Sequence, residues 1–282
     1  MATLIDGKTI AADVRAQAAR RVEALKEKGV EPALAVILVG EDPASKVYVR
    51  NKARACRECG IRSEVIRLPE DTAQEALMAE IERVNRDDSI HGLLIQLPLS
   101  KHLDEEAALA AVDWKKDVDG FHRMNAGALL NGTADVLPCT PAGCMELLRR
   151  AGVQLDGAEA VVVGRSNIVG KPMALLLMQA NCTVTVCHSH TKNLADVVRR
   201  ADIIVSAIGK PRFITADMVK EGVAVIDVGI NRLPDGSLCG DVDFDAVCEK
   251  AGCITPVPGG VGPMTIAMLM QNTVQAAENH AR

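Results

Sequence analysis

Short, almost uninterrupted apolar runs recur along the chain, each followed by a segment whose apolar residues return at helical spacing. This alternation is the feature that most restricts what the chain can fold into. ALAVILV (33–39) precedes PASKVYVRNKARACREC, RSEVIRL (62–68) precedes TAQEALMAEIERVNRD (72–87), and GLLIQLPL (92–99) comes next. Strands buried on both faces read as continuous apolar runs, and a strand–helix–strand order leads to a parallel sheet covered by helices. A leading helix is expected over 7–28. Asp42-Pro43 has the form of a cap followed by a first helical residue, and Gly60 closes the run, so a helix is expected over 43–59.

At about residue 113 the rhythm breaks. DWKKDVDGFHRMNAGALLNGTADVLPCTPAG is rich in Gly, Asp, Asn and Pro, and it reads as a linker and functional loop without a helix. A second rhythm follows: a helix from Thr140-Pro141 to about 151, strands over 160–164 and 182–188 with the helix GKPMALLLMQA between them, and strands over 201–209 and 222–230. TPVPGGVGPMT leads into a last helix over 265–280. The expected fold class is α/β, with two α/β lobes, the second a Rossmann-like doubly wound parallel sheet, and a cleft between them.

At 282 residues and 48% hydrophobic content the chain can fill one large core or two smaller ones. A net charge of −5 without basic blocks offers no footprint for nucleic acid or an anionic membrane, which leaves small ligands as partners. The N-terminus lacks a signal pattern and no apolar run reaches a membrane span, so the expected location is cytoplasmic. Nine cysteines, an odd count, suit reduced thiols. Cys56 and Cys59 form a lone CxxC with no second ligand pair at zinc-finger spacing, and no metal is expected.

VVVGRSNIVGKPM places Gly164 and Gly170 between an apolar strand and a helix. This is a GxSxxxG variant of the dinucleotide fingerprint, in which small residues let the backbone approach a pyrophosphate at a helix N-terminus. A purely structural glycine turn is the alternative. Where an NAD enzyme would carry an acidic residue at the end of the second strand, the sequence is Cys187-His188-Ser189-His190-Thr191, and Arg165 lies in the first loop. An arginine and hydroxyls without a carboxylate suit a 2′-phosphate, so NADP is preferred over NAD. His188 and His190 lack a carboxylate or thiolate shell and read as loop residues rather than ligands.

The single tyrosine, Tyr48, stands four residues before Lys52, so the two share a helix face, as a site or as a solvated pair. Gln96 ends an apolar run and either satisfies a core hydrogen bond or points into a cleft. Asp119, in KKDVDGF, is a ligand group or the acceptor of an Asp-Gly turn. PVPGGVGPMT is a rigid connection or a wall against a flat ligand.

Tyr48-x-x-x-Lys52, GLLIQLPL, KDVDGF, PCTPAG, GRSNIVGKP, DVGIN and PVPGGVGPMT occur in an order and spacing that resemble, end to end, the bifunctional methylenetetrahydrofolate dehydrogenase/cyclohydrolase family. Two departures are Ser100, where a proline is expected after Pro98-Leu99, and Arg165, at a position where family members vary. The resemblance implies oxidation of 5,10-methylenetetrahydrofolate with NADP, followed by hydrolysis to 10-formyltetrahydrofolate. It implies a folate-binding catalytic domain over 1–139 plus 264–282, an NADP-binding Rossmann domain over 140–263, tetrahydrofolate derivatives as ligands, and a homodimer. Lys52 is the implied proton-transfer group, because an ammonium beside a cationic substrate in a partly desolvated cleft has its charged form disfavoured. Tyr48 would bond Lys52 or stack on the folate, Gln96 would orient Lys52, and Asp119 would accept the pterin N–H groups. Leu97, Pro258, Gly259 and Gly260 complete the implied substrate contacts, and Gly164, Arg165, Ser166, Ile168, Ser189 and Ile230 the cofactor contacts.

Overall fold

Each apolar rhythm folds as a parallel sheet. The computed structural model describes residues 2–281. In chain order the first half contains β1 (Thr3–Leu4), α1 (Gly7–Lys26), β2 (Ala33–Val39), α2 (Pro43–Cys59), β3 (Arg62–Leu68), α3 (Gln74–Asn85), β4 (Gly92–Ile95), α4 (Glu105–Ala111), α5 (Arg123–Asn131) and α6 (Cys139–Arg150). The second contains β5 (Glu159–Val163), α7 (Gly170–Gln179), β6 (Thr183–Cys187), α8 (Leu194–Arg199), β7 (Ile203–Ser206), β8 (Ala224–Asp227), β9 (Asn231–Arg232), β10 (Leu238–Cys239), α9 (Phe244–Cys248), β11 (Cys253–Ile254) and α10 (Val261–His280).

The chain divides into two units: Ala12–Cys139 with the chain from Ile266 onward, and Thr140–Thr265 with the chain up to Ala11. The expected division places residues 1–11 with the first domain, and the structure differs. The reason is backbone pairing, since Thr3 and Leu4 lie parallel to Cys253 and Ile254 and extend the second sheet. Two-residue strands leave no periodic signal in a sequence.

The folate-named half of the expectation corresponds to a three-stranded parallel sheet in the order β3-β2-β4. β2 is buried along its whole length, as its continuous apolar run requires. One face packs Leu34, Val36 and Leu38 with Val49, Cys56 and Cys59 of α2 and Leu269, Met270 and Val274 of α10. The other packs Ala35, Ile37 and Val39 with Leu77, Ile81 and Val84 of α3. The CxxC thiols therefore belong to a core, and burial pushes Cys56 up to about 12 and Cys59 to about 11.

The other unit holds a six-stranded sheet in the order β1-β11-β8-β7-β5-β6, parallel throughout. Neighbour order reverses at β5, with β6 on one side and β7 on the other, which is the switch point at which open parallel sheets bind ligands beyond their carboxyl ends.

The segment expected to be free of helix contains α5. Its sequence RMNAGALLN has little apolar periodicity, but its ends are closed: the His122 ring nitrogen accepts the Met124 N–H at 3.2 Å, and Gly132 adopts φ 73° in the left-handed region. End chemistry and Asn125 packing override a weak pattern.

Candidate active site

In the three-stranded unit the site starts from α2. Asp42 Oδ2 accepts the Ser45 N–H at 2.7 Å, and Gly60 ends the helix at φ 75°. Val49, Cys56 and Cys59 face the core, which leaves Tyr48, 46% exposed, and half-buried Lys52 on another face. Gln96 directly follows β4, and its own N–H continues the ladder to Ile37 O at 2.9 Å. Its side chain cannot turn freely. Gln96 Nε2 donates to Leu97 O at 2.7 Å, and because that carbonyl only accepts, Oε1 is left for Lys52 Nζ, which donates to it at 3.0 Å. Leu97-Pro98 is a cis peptide.

KKDVDGF is attached to the edge of β4, with Leu93 N–H donating to Lys116 O at 2.7 Å. Lys116 is buried and donates to Val84 O and Asp87 O at 2.9 and 2.7 Å, tying the loop to the end of α3. Desolvation pulls its ammonium down. Asp117 carries the turn: Oδ1 accepts Gly120 N–H at 3.1 Å, and Oδ2 accepts His122 N–H and Asn125 Nδ2 at 2.8 Å each. Asp119, two residues on and half-buried, makes no side-chain hydrogen bond among the described residues. Burial pushes its carboxyl up to about 6, against the pull of the Lys52 ammonium and with a further push from Asp117. Tyr48, Lys52, Gln96, Leu97 and Asp119 all belong to this unit, and Lys52 acts electrostatically on Asp119. Asp117, Asn125 and Asn272 were not legible as site-forming residues. Nothing in the string KDVD separates a carboxylate that builds a turn from one left free.

In the six-stranded unit, Gly164 follows β5 at the switch point with φ 129°, and a Cβ there would lie 2.3 Å from Ala207 O. A Cβ on Gly170 would lie 2.3 Å from Gly164 O. Both glycines are required by backbone-to-backbone approach, which forms the tight strand–turn–helix a dinucleotide needs. Ser166 Oγ accepts Val169 and Gly170 N–H at 3.1 and 3.3 Å and shapes the start of α7. Arg165 and Ile168 stand exposed on the turn, Ser189 is exposed beyond β6, and Ile230 is 50% exposed beyond β8. Arg165 has no carboxylate partner among the described residues. His188 and His190 form a turn, with Thr191 Oγ1 accepting His188 N–H at 2.9 Å and His188 Nδ1 accepting His190 N–H at 3.2 Å. No group of three metal-ligating side chains occurs among the described residues.

Pro258, Gly259 and Gly260 lie in this unit, not with Lys52. Gly259 has φ 110°, and a Cβ on Gly260 would lie 2.7 Å from Thr255 Cβ. Gly260 O in turn leaves only 1.8 Å for a Cβ on Gly7. Gly260 is thus required by approach to its own segment, and Gly7 by the approach of that segment to the start of α1.

A parallel sheet with a glycine turn at its switch point, an exposed arginine in that turn and an exposed serine rather than an acidic residue after β6 fits the nicotinamide-dinucleotide-binding class. Residues 138–281 match the tetrahydrofolate dehydrogenase/cyclohydrolase NAD(P)-binding domain, and residues 5–119 match the catalytic domain of the same family. The chain belongs to the tetrahydrofolate dehydrogenase/cyclohydrolase family. It is 58% identical over 276 residues to the bifunctional protein FolD of Moorella thermoacetica, covering 98% of this chain and 99% of that one. It is 59% identical over 280 residues to that of Dechloromonas aromatica, covering 99% of each. The crystal structure of the bifunctional FolD of Campylobacter jejuni superposes with a TM-score of 0.97 at 52% identity, covering 99% of both chains. The Trypanosoma brucei enzyme, complexed with NADP cofactor and inhibitor, does so with a TM-score of 0.95 at 40% identity, covering 100% of this chain and 99% of that one.

Proposed function

We propose that Lys52, oriented by Gln96, carries the proton transfers of the hydrolytic step, and that Asp119 anchors the folate. The chain's reactions are those of its family: 5,10-methylenetetrahydrofolate is oxidised to the methenyl form with NADP, then hydrolysed to 10-formyltetrahydrofolate. When bound, NADP accepts the hydride of the first step. The protein's part there is positioning, since the methenyl cation is already stabilised by two nitrogens.

The hydrolytic step needs more. Water adds to the cationic carbon and loses a proton; the hydroxyl so formed loses its own proton as the formyl carbonyl forms and the bond from that carbon to the ring nitrogen breaks, and the departing nitrogen gains a proton, so that one proton is released overall. Lys52 Nζ is the titratable group beside which this happens, and the amide of Gln96, pinned by Leu97 O, fixes where the ammonium points. Tyr48, one turn earlier, bonds Lys52 or stacks on the pterin. Asp119 accepts the neighbouring N–H donors of the pterin edge. The observation that carries this reading is the division of labour between two carboxylates: Asp117 satisfies the turn N–H groups, while Asp119 beside the Lys52 charge stays free.

Lys52→Met should abolish cyclohydrolase activity while sparing much of the dehydrogenase, followed by methenyl absorbance and NADPH formation in one assay. Near-normal hydrolysis in that variant would remove Lys52 from the mechanism. On the dinucleotide side, Gly164, Arg165, Ser166, Ile168, Ser189 and Ile230 are proposed to line the cofactor. The chain is further proposed to act as a homodimer through β3, whose outer edge has no strand beside it among the described residues and whose Val65, Ile66 and Leu68 are half-buried. Sedimentation as a monomer at micromolar concentration would refute that pairing. The proposed location is the cytoplasm, and no described helix is long and apolar enough to cross a membrane.

A further inference from the structure

Two buried carboxylates in the six-stranded unit take no part in the chemistry described above. Asp241 is fully buried and Asp227 nearly so. Asp241 Oδ2 accepts Ile208 and Gly209 N–H at 2.8 and 3.1 Å, and the Ser206 hydroxyl at 3.4 Å. Its Oδ1 accepts Lys210 N–H and Asn231 Nδ2, both at 2.9 Å. Asp227, the last residue of β8, holds Asp241 from behind: its Oδ1 accepts the Asp241 and Gly229 N–H groups at 2.9 and 3.0 Å, and its Oδ2 accepts Val242 N–H at 2.9 Å. Two glycines make room for the pair. A Cβ on Gly229 would lie 2.2 Å from Asp241 Oδ1, and one on Gly240 would lie 1.8 Å from Asp227 Oδ2.

The segments gathered by Asp241 are those that leave the carboxyl ends of β7 and β8. Residues 208–210 directly follow Ala207, whose carbonyl is the atom that excludes a side chain at Gly164. Asn231 directly follows Ile230. One carboxylate thus ties the wall behind the glycine turn to the loop that presents Ile230. Its charge is spread over N–H donors, which makes a buried anion tolerable and its removal costly, because every donor then loses its acceptor at once.

We infer that Asp241, backed by Asp227, is a positioning residue for the dinucleotide, fixing the loop after β7 and the Ile230 loop in one arrangement before the cofactor binds. The inference rests on the proposed placement of the cofactor against Gly164 and Ile230. Asp241 itself, being enclosed, does not touch the ligand.

The test compares NADP affinity by calorimetric titration, KM for NADP in the dehydrogenase assay, and hydrolysis of methenyltetrahydrofolate without nucleotide. Asp241→Asn turns one acceptor into a donor facing N–H groups. NADP Kd and KM should rise roughly tenfold or more, while hydrolysis stays within about twofold of the unmodified protein. Asn231→Ala removes a single donor and should move NADP Kd in the same direction by a few-fold; it decides the matter if Asp241→Asn does not fold. Unchanged NADP Kd in the folded variants overturns the inference, as does an equal loss of both functions, which would indicate a merely structural role. Ile230→Ala separates the two levels. If it weakens NADP while the Asp241 and Asn231 variants do not, the positioning role alone is wrong; if it leaves NADP binding unchanged, the placement of the cofactor is wrong.

Discussion

Asp117 and Asp119 are separated by one residue and live in opposite electrostatic conditions. Asp117 has its oxygens filled by N–H donors, whereas Asp119 is desolvated without them, and its carboxyl is pushed from the ordinary 3.8 up to about 6. Between those two values the folded state binds a proton that the unfolded chain has released, so stability falls as pH rises across this window and stays reduced above it. Asp119→Asn removes the penalty. It should therefore raise the unfolding free energy at pH 8 by about 1–2 kcal/mol, discounted for partial solvent access, and lose that advantage below about pH 4. Both activities should drop together, since the amide offers a donor where the pterin also donates. A loss of stability at pH 8 would instead mark Asp119 as a turn residue. The cofactor site has its own residue-scale test. With Arg165 and Ser189 proposed to meet the 2′-phosphate, and no carboxylate beside them to repel it, NADP should exceed NAD by at least about tenfold in kcat/KM, with Arg165→Ala eroding the preference by weakening NADP far more than NAD. Equal use of the two cofactors by the unmodified protein would show that this loop does not read the phosphate. The resemblance pairs Gln96 with Lys52, and the structure has that bond, but the Leu97 carbonyl that pins the Gln96 amide was not legible, because side-chain partners of this kind are set by tertiary packing.

Elements were legible in proportion to how much of their own stabilisation lies within the segment. α2 coincides with the expected 43–59 because a cap, a Pro at the first turn and a closing glycine are all written locally. Asp42→Ala should cost about 1 kcal/mol through loss of the Ser45 N–H acceptor, lowering the urea midpoint while the helix still presents Lys52. A midpoint matching the unmodified protein would show that the packed face of α2 alone fixes its start. The strands expected over 92–99, 201–209 and 222–230 are shorter in the structure, ending at Ile95, Ser206 and Asp227. Beyond Ser206 and Asp227 the chain leaves the sheet while its residues remain apolar or small, and beyond Ile95 only Gln96 interrupts the apolar run before Leu97; Gln96 and Asp227 thereby stand at the carboxyl ends of strands in the two separate sheets. Hydrophobicity reports burial, not the last ladder bond. β1 and β11, two residues each, depend on partners remote in sequence; β9 and β10 pair with each other but are too short to leave a periodic signal, and the weakly patterned α5 is held by its end chemistry, so none of them was legible.

At the scale of the whole molecule the chain does not finish one unit before starting the next. The three-stranded unit, begun at Ala12, is completed only by the residues after Ile266, so its folate-named site depends on the last helix. The dependence runs through Asn272, which is buried on α10. Its Nδ2 donates to Val118 O at 2.8 Å and Leu137 O at 2.7 Å, spending both amide hydrogens on the carbonyls that bracket the Asp119 loop. Cys139 Sγ donates to the same Val118 carbonyl at 3.4 Å, and burial holds that thiol well above its ordinary value, so it stays a weak neutral donor that cannot replace the amide. Gly120 is locked against the same strand of chain, because a Cβ there would meet Pro138 N at 2.8 Å. Asn272→Ala takes a donor from the buried Val118 carbonyl and from the part-buried Leu137 carbonyl, a cost of about 1–3 kcal/mol, and frees the loop that aims Asp119. KM for methenyltetrahydrofolate should rise several-fold in the cyclohydrolase assay and the Tm should fall, while NADP Kd stays as in the unmodified protein. A variant that melts earlier yet keeps its folate KM would show that α10 supports the core of this unit without setting the loop; a parallel weakening of NADP would show that the effect is not confined to it.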